Sequence, residues 1–112
     1  MRRWLSVSTP VSVSFPWAVG PGGTASRTFT ARMPGTAQAT IAGIAPAAEL
    51  IVGLGIPRTG GSGCLLARAA TAGDGVSAQV SARVDGGTFC VLVLGPATAP
   101  GTVVFTVTLE HP

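Results

Sequence analysis

The chain has 112 residues, 46% of them hydrophobic and 10% charged. That length holds one domain with a single two-layer core, and the charge content is well below the ~25% of an average globular domain. The formal net charge is +3, but the basic residues are all arginine. Apart from the Arg2–Arg3 pair they are dispersed, at Arg27, Arg32, Arg58, Arg68 and Arg83. Nucleic-acid binding calls for a clustered basic stripe, so no nucleic-acid partner is expected. No stretch is long and apolar enough for a membrane-spanning helix, so no membrane span is expected either. Small polar residues take the surface positions that charges usually hold, a composition typical of exported β modules.

The N-terminus, MRRWLSVSTPVSVSFPWAVG, imitates a signal peptide: two arginines, then an uncharged stretch. Pro10 and Pro16 interrupt the apolar region, serines dilute it, and Pro21 blocks cleavage after Ala18-Val19-Gly20. Val11, Val13, Phe15, Trp17 and Val19 alternate with smaller or polar residues instead, which predicts a strand. Residues 1–10 are then a tail, and residues 11–112 one domain. On that reading an export signal lies outside this chain, the start codon is misplaced, or the domain belongs to a longer protein.

Period two continues along the chain. Strands are predicted over 25–33, 36–44, 49–56 and 63–69. Next comes GVSAQVSARV (75–84), with Val76, Ala78, Val80, Ala82 and Val84 on one face and Ser77, Gln79, Ser81 and Arg83 on the other. TFCVLVL (88–94) is apolar on both faces and reads as a central strand. The last strand (102–110) turns Val103, Phe105, Val107 and Leu109 inward, with Thr106, Thr108 and Glu110 toward water. Turn signals rich in Gly, Pro and Asp separate these runs. APAAEL (45–50) is too short for a helix of its own. Short strands at regular spacing predict an all-β antiparallel β-sandwich, jelly-roll-like, with seven or eight strands. Its core is expected to include Phe29, Ile41, Leu54, Val80, Phe89, Val91, Val93, Phe105 and Val107.

Both cysteines, Cys64 and Cys90, fall in predicted strands. A disulfide between them would close a loop of about 25 residues and contribute ~3 kcal/mol by chain-entropy arguments. Two buried free thiols are the alternative. Two cysteines in a charge-poor β domain fit an oxidising compartment, and the disulfide is expected. A metal site needs more ligands, and the single His111 is expected to be solvated at a frayed end. No metal or other cofactor is expected.

The closing strands, GTFCVLVLG and APGTVVFTVTLEHP, resemble those of bacterial pre-peptidase C-terminal domains. Gly87-Thr88-Phe89 stands where that family has G-T-Y, and Gly101, Phe105 and Val107 stand for a second G-x-Y-x-L-x-V strand at longer spacing. GPGGTASRTFTARMPGTAQATI is similar to the family's opening strands, so the likeness spans roughly residues 15–112. The family's D-x-D-L-x-L acids have no counterpart beyond Glu49, so no calcium site is carried over. The resemblance implies a non-catalytic accessory sandwich attached to secreted hydrolases, aiding secretion, stability or surface binding.

Catalytic patterns are unfilled. GIPRTGGS (55–62) approaches the phosphate loop G-x-x-x-x-G-K-S/T, but Gly61 stands at the lysine position and a strand follows. Asp74 and Asp85 precede glycines in turns. No G-x-S-x-G elbow exists, and a triad needs an oriented imidazole. No enzyme is expected. The candidate surface-binding residues are Trp17, whose ring could stack on a sugar but whose parity also suits the core, and Arg83. Trp4 has no assigned role. The expected function is an exported accessory or binding module, secreted or at the cell surface, with a polysaccharide, protein or cell-surface partner. A self-associating subunit of a cell envelope or phage appendage is the alternative, and a carbohydrate-binding domain the weaker one.

Overall fold

The computed structural model describes residues 10–58, 63–72, 77–99 and 101–112. Residues 1–9 of the expected tail, with Trp4, and Asp74, Val76 and half of the phosphate-loop-like segment (59–62) lie outside them. Eight strands and no helix occur among the described residues: β1 (Val11–Val19), β2 (Thr24–Ala31), β3 (Gly35–Ala45), β4 (Leu50–Pro57), β5 (Cys64–Ala72), β6 (Ala78–Val84), β7 (Gly87–Leu94) and β8 (Val103–His111). All eight expected strands are present, with ends shifted by at most three residues. β2 stops at Ala31, and β5 runs on to Ala72.

The strands form two four-stranded antiparallel sheets, β1-β8-β3-β6 and β2-β7-β4-β5. The register explains these orders. Val11 pairs with His111, Thr24 with Leu94, Gly35 with Val84 and Leu50 with Ala72. The first half of the chain therefore pairs with the second half in mirrored order. The molecule is one long antiparallel hairpin, folded back between β4 and β5 and rolled into two layers. This is a jelly roll.

The pleat places alternate residues between the layers. Ile41, Leu50, Val52, Leu54, Val91, Val93, Val103, Val107 and Leu109 are almost wholly buried there. Of the expected core residues, all are buried except Phe89, which is partly exposed and packs against the core from its margin. β1 forms one edge of its sheet. Pro16 lies mid-strand on β1, opposite Thr106. Proline donates no hydrogen bond and is tolerated in a sheet only where its nitrogen faces away from the ladder. At the far side of the β1–β2 margin, the Arg27 guanidinium lies 4.3 Å from the centre of the Phe15 ring. It covers the opening between the two layers with an alkyl stem and a cation–π contact.

The outer faces of the sheets differ. Across β1, β8, β3 and β6 runs a polar row, Ser14, Thr108, Thr40 and Gln79. Ser14 Oγ and Thr108 Oγ1 are 2.9 Å apart, and Gln79 Nε2 donates to Thr40 Oγ1 at 3.3 Å. The outer face of the second sheet instead carries a small apolar cluster of Cys64, Cys90 and Leu92, with Leu66 and Leu94 against it.

That cluster depends on two glycines. The Leu66 side chain lies over Gly53, so a Cβ there would be 2.6 Å from Leu66 Cδ1. At Gly55 a Cβ would overlap the Leu65 carbonyl and come within 2.7 Å of Leu66 Cα. The start of β5 thus bends across the outer face of β4, and only a residue without a side chain lets the two backbones approach so closely. Gly55→Ala is expected to lower stability by about 2 kcal/mol or more, as overpacking against immobile backbone does. Gly20→Ala, where nothing lies within 4 Å, should stay within ~0.5 kcal/mol of wild type. Urea unfolding of the two variants measures the difference.

Candidate functional site

The bend of β5 also brings the cysteines together. β5 and β7 are separated by β4 in the sheet order, a spacing of roughly 9–10 Å for alternate strands. The Cα atoms of Cys64 and Cys90 are nevertheless 5.9 Å apart, and the two residues form a disulfide. It bridges over Gly55, which pairs with Cys90 on one side and Leu66 on the other. The bond pins the tip of the long hairpin to a strand beyond its own partner. Both cysteines are buried.

A register shift lies beside this crossing. Leu54 pairs with Arg68 and Gly55 with Leu66, which leaves Ala67 as an extra residue on β5. This β-bulge turns β5 away from the regular pleat. An apolar cleft of about 230 Å³ opens there, between the layers, lined by Phe29 of β2, Leu54, Gly55 and Ile56 of β4, Ala67 of β5, Ala82, Arg83 and Val84 of β6, and Phe89 of β7. Small side chains keep it open: Ala67 and Ala82 stand where larger residues would fill the gap. Interiors otherwise pack without voids of this size. Phe29 and Phe89 form the back wall, with ring centroids 6.0 Å apart. Ile56, half exposed, forms an apolar lip.

The two surface residues singled out in the sequence do not share a site. Trp17 is on β1 and Arg83 on β6, the opposite edges of one sheet. Trp17 is partly buried and packs edge-on against Phe15 and Phe105, at centroid distances of 5.2 and 6.3 Å. The ring takes the packing role that its parity suits. Arg83 is exposed, belongs to the cleft lining, and is the one charged residue in it among the described residues. The cleft itself was not legible in the sequence, since Phe29, Leu54, Val84 and Phe89 come from four strands and read as ordinary core positions.

His111 corrects an expectation. It is not solvated at a frayed end: it closes β8 in register with Val11, is buried, and stacks on Phe29 with ring centroids 4.9 Å apart. Its Nδ1 lies 3.1 Å from the Pro112 carbonyl oxygen. The imidazole supports the back of the Phe29 ring. The strand's own alternation, extended two residues past Leu109, was the signal for this placement.

Among the described residues no group of three or more His, Cys, Asp or Glu side chains could hold a metal ion, and no helix is long and apolar enough to cross a membrane. No protein-family model matches this chain, and no curated protein sequence matches it.

Two stability outcomes follow from the geometry. The double variant Cys64→Ala/Cys90→Ala should lose about 3 kcal/mol, the chain-entropy value for a loop of this length, read as a lower urea midpoint. Arg27→Ala should lose about 1 kcal/mol through its cation–π and stem packing, with Arg27→Lys recovering part of it in the same assay.

Proposed function

We propose that this protein is a non-catalytic binding module that works in an oxidising compartment, secreted or at the cell surface. The observation that carries this reading is the Cys64–Cys90 disulfide, placed where it pins the fold-back of the chain to β7. Disulfides persist outside the reducing cytosol. A charge content of 10% and a threonine- and serine-rich outer face support the same compartment. The resemblance of Gly87-Thr88-Phe89 and the final strand to pre-peptidase C-terminal domains supports an accessory role beside a secreted enzyme. Binding is favoured over catalysis by the character of the cleft: apolar walls and one guanidinium hold a ligand, and they supply neither nucleophile nor general base.

A second reading, a self-associating structural subunit, draws on the outer face of the β2-β7-β4-β5 sheet. Ile51, in register with Leu94, is exposed beside the apolar cluster there. Self-association would bury it together with the cluster. Extension through the β1 edge is opposed by Pro16.

The test is the intact mass of the natural protein from secreted and cytosolic fractions, with and without reductant. A secreted species that gains the mass of two hydrogens on reduction is the expected result. A cytosolic species of unchanged mass would sink the export reading. Light scattering over a concentration series should show an invariant size; growth with concentration would favour the structural subunit.

A further inference from the structure

We propose that the cleft between β4 and β6 binds a compact amphipathic carboxylate, its apolar part against Phe29, Leu54 and Phe89 and its carboxylate at Arg83. The proposal deepens the binding-module reading and rests on it, by giving that module a site and a ligand class.

Size sets the first limit. An apolar cavity of 150 Å³ accommodates benzene, so about 230 Å³ with an open mouth suits roughly eight to ten carbons. A sugar ring is a poor fit, because its hydroxyls would face Leu54, Ala82, Val84 and Phe89 without hydrogen-bonding partners, at a substantial desolvation cost.

Charge sets the second. Ala82 and Val84 turn between the layers and form the wall, while Arg83, exposed on the edge strand β6, also belongs to the lining. Among the described residues no acid belongs to the lining, and Arg83 has no ion-pair partner. A guanidinium presents a planar fork of donors that matches a carboxylate with two parallel hydrogen bonds. An apolar slot with one cation at its mouth therefore selects an apolar body with one anionic end.

The fold also makes the site accessible. β5 and β6 are edge strands of different sheets, so no hydrogen-bonded neighbour closes the gap between them. The bulge at Ala67 widens it, and Ala82 keeps its wall low. Three independent features of the chain converge on keeping open a space that a β-sandwich normally fills.

The experiment is a ¹H–¹⁵N titration of the full chain with sodium octanoate, and in parallel with 1-octanol as the uncharged counterpart. Saturable shifts are expected at Leu54, Gly55, Ile56, Ala67, Ala82, Arg83, Val84 and Phe89. Arg83→Gln, at an exposed position that should leave the fold intact, is expected to weaken octanoate about tenfold and to leave 1-octanol unchanged. Ala82→Leu should fill the cleft and abolish saturable binding of both. Absence of a saturable octanoate response, or shifts centred on Ile51 and Leu94 of the outer face, would overturn the site. Equal binding of octanoate and 1-octanol, unaffected by Arg83→Gln, would overturn the carboxylate assignment. A reduced cytosolic protein that still bound octanoate would remove the export reading alone, and a secreted disulfide-bonded protein that did not bind it would remove this inference alone.

Discussion

Every part of this molecule depends on the fold-back that pairs the two halves of the chain in mirrored order. Val11 finds His111 and Leu50 finds Ala72, so the sheet ladders are non-local almost throughout. The entropy of closing such loops must be offset by burial that comes only when the layers meet. Two devices at the fold-back itself favour the rolled state. Gly55 lets β5 pass close over β4, and the Cys64–Cys90 bond holds it there. The disulfide is therefore more than a link between strands: it joins the tip of the hairpin to β7 and so limits the ways in which the hairpin can roll.

The same crossing shapes the surface. By drawing Leu66 over Gly53, it builds a second, smaller apolar cluster on the outside of one sheet. By forcing the bulge at Ala67, it leaves a gap between the layers on the β5–β6 side. The β1–β2 side has no such gap at Phe15, because Arg27 lies across it. The molecule is closed at one margin by an arginine laid over an aromatic ring. It is open at the other, where an arginine stands beside an apolar slot.

This asymmetry bears on function more than the sandwich itself does, since a sandwich hosts many unrelated tasks. Trp17, the residue with the strongest prior claim to sugar stacking, is partly buried among Phe15 and Phe105. Arg83, the other surface candidate of the sequence, lies on the cleft. The outer face of the first sheet, with its ladder of Ser14, Thr108, Thr40 and Gln79, satisfies its own side chains across the strands.

The eight strands and their inward faces were determined by the sequence alone, because period-two alternation and turn residues act locally; the two cysteines left a disulfide and free thiols both open, and the fold joins them. The doubly apolar run of β7 even marked it as a central strand. Only the tertiary structure decided the rest. The alternation in β8 carries no statement of which strand lies opposite, so the stacking of His111 on Phe29 could not be read from it. Gly53 and Gly55 look like ordinary weak points of a strand until Leu65 and Leu66 are laid across them. The cleft is the clearest case: Leu54, Ala67, Ala82 and Phe89 are separately unexceptional, and a gap exists only because a one-residue bulge moved one edge strand off another. Local patterns specify which face of a strand is buried; where two buried faces fail to meet is set by long-range register, which no short stretch of sequence contains.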